Sequence, residues 1–178
     1  MRVLVGPLEA VASLCEAHAP SHLVSWLSPP ATVPELPAAL APTHRLHLSS
    51  HDVAETLEGY DPPAAAHVAR LLEFAAGWSG ERPLLVHCWA GVSRSTAAAF
   101  AIACLKRPDV AEQALAWRLR RLSPSATPNP LIVRLADDLL GRGGRMSQAV
   151  AAIGRGREAV LGTPFSLDLR PDSPQEDP

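Results

Sequence analysis

A cysteine and an arginine stand where an apolar strand pattern gives way to a helical one. Cys88 follows the apolar run Pro83–His87, and Arg94 comes six residues later at the start of an alanine-rich stretch. A thiolate can attack a phosphate monoester, but a free cysteine thiol has a pKa of about 8.5. A helix N-terminus favours an anion because its N–H groups are unpaired and its dipole is positive there. The spacing therefore predicts a nucleophilic cysteine beside a helix start.

The residues between Cys88 and the helix can complete a phosphate-binding loop. Successive backbone N–H groups can curl around phosphoryl oxygens, and Gly91 lets the backbone turn where a Cβ would obstruct it. Arg94 offers a planar, permanently charged fork that matches two phosphate oxygens. Ser95 can donate its hydroxyl to the Cys88 sulfur. The predicted anion-binding residues are Trp89, Ala90, Gly91, Val92, Ser93 and Arg94.

Residues 87–95 read His-Cys-Trp-Ala-Gly-Val-Ser-Arg-Ser, which resembles HCxxGxxR[ST], the signature of the protein tyrosine phosphatase superfamily. A structural cysteine would need neither the glycine nor the arginine. The order of elements, and Pro128-Asn129 before a helix, resemble the compact dual-specificity branch over about residues 1–140. The resemblance implies a phosphocysteine mechanism with no metal and no cofactor. It also implies that His87 orients the loop and that Asn129 has a supporting role.

The resemblance further implies an aspartate that protonates the leaving oxygen, on a loop before the cysteine. Asp52 directly follows the predicted strand 44–48, whereas Asp61 precedes a proline pair and could instead cap the next helix. Asp52 has an alternative as well, because with Glu55 it could form a capping box for a short helix. Asp52 is the favoured acid.

Alternating strand and helix patterns early in the chain, then a run of helices, predict one α/β domain. Its central, mostly parallel sheet is flanked by helices and carries a phosphatase-type strand, loop and helix. Strands are predicted over 2–5, 22–27, 44–48 and 83–87, and helices over 8–18, 62–78, 95–105, 110–122, 131–140 and 146–153. The domain is expected to span 1–170, and the acidic, proline-containing residues 171–178 to form a flexible tail.

Composition limits the classes of partner. The net charge of −2 gives no indication of nucleic acid or an anionic membrane, and no apolar run approaches the roughly 20 residues of a membrane span. Three cysteines without a CxxC pair are expected to be reduced thiols in the cytoplasm. The expected substrate is a phosphorylated protein or a small phosphomonoester. Nothing in the sequence predicts a particular oligomeric state.

Two further groups of residues have competing interpretations. Three histidines near the third strand could suggest a metal, but their spacing on a strand points the rings to opposite faces and fits no standard site. Four arginines lie among glycines late in the chain. They could attract a phosphorylated partner, although solvated charge at a helix end is favoured. The histidines are His44, His47 and His51, and the arginines are Arg142, Arg145, Arg155 and Arg157.

The same residues are compatible with other functions. The loop could bind a phosphorylated partner without turnover, as a phosphate-recognition module. A sulfurtransferase or an arsenate reductase would also combine a cysteine with an arginine around an anion. The former usually has a different loop length, and the latter usually needs further redox cysteines. The complete set of cysteine, arginine and serine positions favours a phosphatase.

Overall fold

The computed structural model describes residues 1–33 and 35–170. The predicted tail at 171–178 lies outside these ranges. The strands are β1 (Arg2–Pro7), β2 (His22–Leu27), β3 (His44–Ser49), β4 (Leu84–Cys88) and β5 (Phe165–Asp168). The helices are α1 (Val11–His18), α2 (Ala65–Ala76), α3 (Arg94–Lys106), α4 (Glu112–Leu122), α5 (Pro130–Leu139) and α6 (Arg145–Ile153). A 3-10 turn, Leu8–Ala10, leads into α1.

The five strands form one sheet in the order β3-β2-β4-β1-β5. The first four strands pair in parallel, and β5 runs antiparallel to β1. The predicted α/β class with a mostly parallel sheet is therefore confirmed. The sequence patterns did not predict β5, which has only four residues and is defined by its pairing with β1.

Strand β4 lies in the middle of the sheet, and all five of its residues are buried. Strands covered on both faces read as continuous apolar runs, which explains why the pattern Leu84-Leu85-Val86 predicted it. Alternate side chains of β1, β2 and β4 enter two cores. Leu4, Leu23 and Leu85 pack with α1 on one face, while the opposite face shares one larger core with the other five helices.

Helix α3 is buried from Arg94 to Cys104. A helix that is apolar all round belongs in the interior, and its five alanines bring its axis close to the sheet and to neighbouring helices. Because α3 starts soon after β4 ends, the cysteine loop (residues 88–94) is fixed at both ends by buried elements. In parallel sheets, ligands bind at this carboxyl edge.

Before α2, the predicted helix start is wrong, and the alternative capping interpretations of Asp52 and Asp61 do not hold. No helix forms between residues 50 and 64, so Asp52 and Glu55 form no capping box. Helix α2 begins at Ala65 rather than at the proline pair, and its N-cap residue is Ala64 rather than Asp61. The Ala64 N–H donates to His67 Nδ1 at 3.0 Å. The imidazole of His67, at position N3, thus accepts from the N-cap N–H, as a glutamate at N3 does in a capping box.

Candidate active site

The cysteine loop turns sharply against the end of β1. Gly91 has φ +73°, and a Cβ at this position would lie 2.6 Å from the Pro7 nitrogen and 2.7 Å from the Gly6 carbonyl carbon. Glycine therefore meets two requirements here, a left-handed backbone and a close approach. The turn brings the Gly91 N–H back over Cys88.

The Cys88 sulfur lies among polar groups. The Gly91 N–H donates to Sγ at 3.3 Å, and Ser95 Oγ lies 3.2 Å from Sγ. The other two cysteines are also buried and free. Burial raises the pKa of the Cys15 thiol, and burial together with nearby Glu112 raises the pKa of Cys104 to about 12. Those two thiols are therefore held protonated and inert.

Arg94 is buried, with 3% of its surface exposed. Its Nη1 donates to the Ser50 carbonyl oxygen at 2.6 Å and to Ser28 Oγ at 2.9 Å. Its Nε is buried and has no hydrogen-bond partner among the residues that the structure describes. A buried charged donor without an acceptor is unfavourable by at least about 1–3 kcal/mol. Nη1 therefore fixes the guanidinium to the protein, and the Nε donor is left for an anionic oxygen.

Sequence reasoning missed Ser28 and Ser50, which hold Arg94. Both residues follow strands, β2 and β3, at the carboxyl edge where β4 also ends. Ser50 is held in turn by the Trp26 indole, whose N–H donates to Ser50 Oγ at 2.8 Å. The rule that parallel strands end at one edge is the signal that could have identified them.

Asp52 lies beside the cysteine loop. Its Oδ1 accepts hydrogen bonds from Ser93 Oγ at 2.7 Å and from Asn129 Nδ2 at 2.8 Å, and its Oδ2 is 3.7 Å from Arg94 Nε. One third of the Asp52 side chain is exposed, so a substrate can reach it. Asp61 is exposed, and its backbone pairs with His51, which closes the base of the loop between them.

Asn129 joins this loop to helix α5. Its Oδ1 accepts from the N–H groups of Leu131 and Ile132, at 3.0 and 3.1 Å, and so caps α5. Its Nδ2 donates to Asp52 Oδ1 and, at 3.2 Å, to the Val53 carbonyl oxygen. With both ends of the amide engaged, Asn129 fixes the position of Asp52 relative to a rigid helix.

His87 lies directly before the cysteine, in the interior of the sheet. Its Nε2 is 2.6 Å from Ser25 Oγ on the neighbouring strand β2, and its Nδ1 is 3.4 Å from the Cys88 carbonyl oxygen. Burial lowers the pKa of His87 to about 4. The imidazole is therefore neutral at physiological pH and acts as a hydrogen-bonding brace between two strands.

A segment without a recognisable sequence pattern runs along the far side of the cysteine loop. We call residues 154–164 the strap. The Gly162 N–H donates to the Ala90 carbonyl oxygen at 2.8 Å, and the Arg157 N–H donates to Pro124 O at 2.9 Å. A Cβ on Gly162 would lie 2.8 Å from the Gly91 oxygen. The strap thus packs directly on the turn of the loop.

The remaining predicted loop residues border this arrangement. Trp89 is 60% exposed, and its carbonyl oxygen accepts from the Leu8 N–H at 3.1 Å. Val92 O accepts from the Thr127 N–H at 2.9 Å.

In the described ranges, no group of three or more His, Cys, Asp or Glu side chains could hold a metal ion. Over the same ranges, the helices are too short or too polar to cross a bilayer.

No family model and no curated protein matches the chain. Solved structures with the same fold include PTPMT1 in complex with PI(5)P, at 15% identity and a TM-score of 0.59, covering 84% of this chain and 92% of that one. The human tyrosine phosphatase-like serine/threonine/tyrosine-interacting protein is 17% identical with a TM-score of 0.61, covering 79% and 91%. The Yvh1 phosphatase domain from Chaetomium thermophilum is 23% identical with a TM-score of 0.58, covering 81% and 93%.

These likenesses are structural, and they cover about four fifths of the chain. They agree with the resemblance carried by residues 87–95. The chain has the fold of the cysteine-dependent protein tyrosine phosphatase superfamily, in the compact form of its dual-specificity branch.

Proposed function

We propose that this protein hydrolyses phosphomonoesters through a phosphocysteine intermediate at Cys88, as a protein tyrosine or dual-specificity phosphatase. One observation carries the proposal. A sulfur that accepts an N–H from its own loop lies near the start of a buried helix. The first residue of that helix, Arg94, has a buried Nε that makes no hydrogen bond in the described chain and lies 3.7 Å from Asp52 Oδ2. Both groups are suited to a tetrahedral dianion.

In the first step the Cys88 thiolate attacks phosphorus. The S–P bond forms as the bond from phosphorus to the ester oxygen breaks, and Asp52 gives its proton to that departing oxygen. The loop N–H groups and the guanidinium of Arg94 hold the three equatorial oxygens, where charge is spread in the transition state. The products are a phosphocysteine and a free alcohol or phenol.

In the second step a water molecule attacks the phosphocysteine. Asp52, now ionised, removes a proton from this water as its oxygen bonds to phosphorus and the S–P bond breaks. The bond electrons return to sulfur, and the Ser95 hydroxyl, 3.2 Å away, stabilises the thiolate by donating to it. Inorganic phosphate leaves, and no metal or cofactor enters either step.

Three groups position these reactants. Asn129 Nδ2 donates to Asp52 Oδ1, His87 supports the Cys88 backbone, and Ser93 Oγ donates to Asp52 Oδ1 and so joins the loop to it. Substrates would be phosphorylated proteins or small phosphomonoesters. The three cysteines are free, which suits the reducing cytoplasm as the site of action.

Hydrolysis of an aryl phosphate such as para-nitrophenyl phosphate, in the presence of a chelator, tests the proposal. We expect turnover that vanadate inhibits and that Cys88→Ser abolishes. Cys104→Ser is the matched control, because Cys104 is equally buried but lies in the apolar core; it should retain turnover. Full activity in Cys88→Ser would refute the mechanism.

A second candidate is a phosphate-recognition module with negligible turnover. It is favoured by the contacts of Asp52, whose Oδ1 already accepts two hydrogen bonds and whose Oδ2 faces Arg94. If these contacts persisted in the complex, Asp52 could not reach a leaving oxygen. In that case phosphate and vanadate would still bind, and Arg94→Ala would abolish the binding, but no phosphate would be released.

A further inference from the structure

A cavity of about 610 Å³ opens beside the cysteine loop. Val92 and Ser93 of the loop line one side together with Thr127, and strap residues 155–160 line the other side. Cys88 and Arg94 do not line it, so it is distinct from the position of the reacting phosphate. Its volume lies within the range of ligand-binding clefts, roughly 300–1,000 Å³.

Two arginines give this cavity its charge. Arg155 and Arg157 both line it and are exposed, and in the described ranges neither side chain makes a hydrogen bond or an ion pair. Glu158, which also lines the cavity, is not paired with either of them. The other two glycine-flanked arginines, Arg142 and Arg145, both pair with Glu112 at 3.2 Å. The cavity therefore holds two uncompensated guanidinium groups against one carboxylate.

The backbone that carries these arginines is fixed. Between them, the Gly156 N–H donates to Thr127 Oγ1 at 3.1 Å, and a Cβ on Gly156 would lie 2.5 Å from the Ser125 carbonyl group. The Arg157 N–H donates to Pro124 O. Because the strap is already ordered against the 123–129 loop, a ligand that binds the two side chains need not order their backbone.

We propose that this cavity is a second anion subsite that selects phosphopeptides with aspartate or glutamate close to the phosphorylated residue. This inference rests on the proposed function, since it places the phosphate itself in the cysteine loop. An arginine fork matches a carboxylate in two-point contact. The exposed apolar side chains of Val160 and Ala159 provide a wall for the peptide. Glu158 disfavours a more highly charged ligand such as an inositol polyphosphate.

The test compares a phosphotyrosine peptide that has aspartate and glutamate on both sides of the phosphotyrosine with the same peptide carrying asparagine and glutamine there. The double variant Arg155→Ala/Arg157→Ala should lower kcat/KM for the acidic peptide by about 3- to 10-fold, mainly through KM. Hydrolysis of para-nitrophenyl phosphate, which reaches only the cysteine loop, should change less than twofold. Arg70→Ala, at an exposed arginine of α2, is the matched control.

Glu158→Gln removes the negative charge of the cavity, so it should have the opposite effect to the double arginine variant. We expect it to increase the preference for the acidic peptide. The preference should also shrink as salt rises, because exposed charges are screened. Equal rates for both peptides in the unchanged protein, or equal losses on both peptides in the double variant, would overturn the subsite. Stronger competition by a soluble inositol bisphosphate than by the acidic peptide would overturn the choice of ligand.

A binding measurement separates this inference from the proposed function. Fluorescence anisotropy of the labelled peptides on the Cys88→Ser protein requires no turnover. If the unchanged protein fails to release phosphate but the arginines still favour the acidic peptide in binding, the subsite stands and the enzymatic proposal fails. If neither peptide binds, the subsite is refuted as well.

Discussion

Asp52 and Asp61 are two carboxylates on one loop with very different surroundings. Asp52 is joined to Ser93, Asn129 and the guanidinium of Arg94, whereas Asp61 is exposed and pairs with His51 through its backbone. A proton donor must come within hydrogen-bond reach of the leaving oxygen. Of the two carboxylates, Asp52 lies beside the cysteine loop, and this is why we propose it as the acid. The sequence alone favours Asp52 only on the argument from capping.

Asp52→Asn should lower kcat for phenyl phosphate by about 10²- to 10⁴-fold, the usual contribution of a general acid. The loss should be smaller for para-nitrophenyl phosphate, because a good leaving group needs less protonation. Steady-state rates with both substrates measure the difference. Asp61→Asn, on the same loop, serves as the control and should stay within twofold; the reverse ranking of the two variants would assign the acid to Asp61.

His87 makes stability depend on pH. Its folded pKa is about 4, whereas the unfolded chain returns it to about 6.5. Between these values the unfolded state binds more protons, so the stabilising contribution of neutral His87 is present above about pH 6.5 and declines as pH falls toward about 4. At about 1.4 kcal/mol per pKa unit, the full loss is about 3 kcal/mol.

Urea unfolding of the unchanged protein and of His87→Gln at pH 7.5 and 4.5 measures this contribution. The unchanged protein should lose about 2–3 kcal/mol more between the two pH values than the variant does. Burial also lowers the pKa values of His22 and His67, but both are present in the two proteins, so their effect cancels. An identical loss in both proteins would show that His87 titrates normally.

At the level of elements, the sequence predicts those parts that carry a local pattern. The apolar run of β4 and the alanine-rich α3 are such parts, and the chain itself brings Cys88, Gly91 and Arg94 together between them. Strand β5 has only four residues, too few for alternation to be recognised. The strap has no local pattern either, because its position depends on backbone contacts with residues that are distant in sequence.

The supporting groups around Arg94 belong to the parts that long-range contacts position, and no local pattern predicts them. Ser28 and Ser50 reach Arg94 from the ends of β2 and β3, and no motif joins them to residues 87–95. The alternative capping roles of Asp52 and Asp61 are not formed, because other contacts satisfy these segments. His67 supplies the acceptor at the start of α2, and Ser93 and Asn129 engage Asp52 instead.

The packing of the strap on the cysteine loop predicts the effect of Gly162→Ala. The added Cβ would meet the Gly91 oxygen at 2.8 Å and the Gly91 carbonyl carbon at 3.2 Å, so either the strap or the loop must move. We expect a loss of about 1–3 kcal/mol in unfolding free energy. We also expect kcat/KM for para-nitrophenyl phosphate to fall by about tenfold, because small displacements of reacting groups are expensive.

Gly77→Ala is the control for this substitution. A Cβ there would meet its nearest neighbour, Phe74 O, at 3.8 Å, an ordinary contact. Stability and kcat/KM should both stay close to those of the unchanged protein. Equal behaviour of the two variants would show that the loop tolerates movement of the strap.

Across the whole molecule, the C-terminal part of the described chain completes a sheet that is otherwise parallel. Strand β5 covers the edge of β1, and Leu167 and Leu169 extend the larger core, with 1% and 2% of their surfaces exposed. Unpaired edges invite association with other chains. Because β1 carries the backbone that contacts Gly91, the same closure supports the cysteine loop.

Leu167→Ala should therefore reduce the free energy of unfolding by about 2–4 kcal/mol, through lost burial and the cavity left behind. Chemical denaturation monitored by tryptophan fluorescence measures it. Val160→Ala removes an aliphatic side chain that is 92% exposed, and it should change stability by less than about 0.5 kcal/mol. Similar stabilities for the two variants would mean that β5 does not contribute to the core.

In the proposed reaction the sulfur of Cys88 forms a bond to phosphorus. Acid quenching of the protein during turnover of an aryl phosphate, followed by peptide mass spectrometry at low pH, detects this bond. We expect one phosphoryl group on the peptide that contains Cys88, and more of it in Asp52→Asn, in which the second step is slowed. Turnover with the phosphoryl group on another residue, or with no covalent intermediate and undiminished by Cys88→Ser, would contradict it.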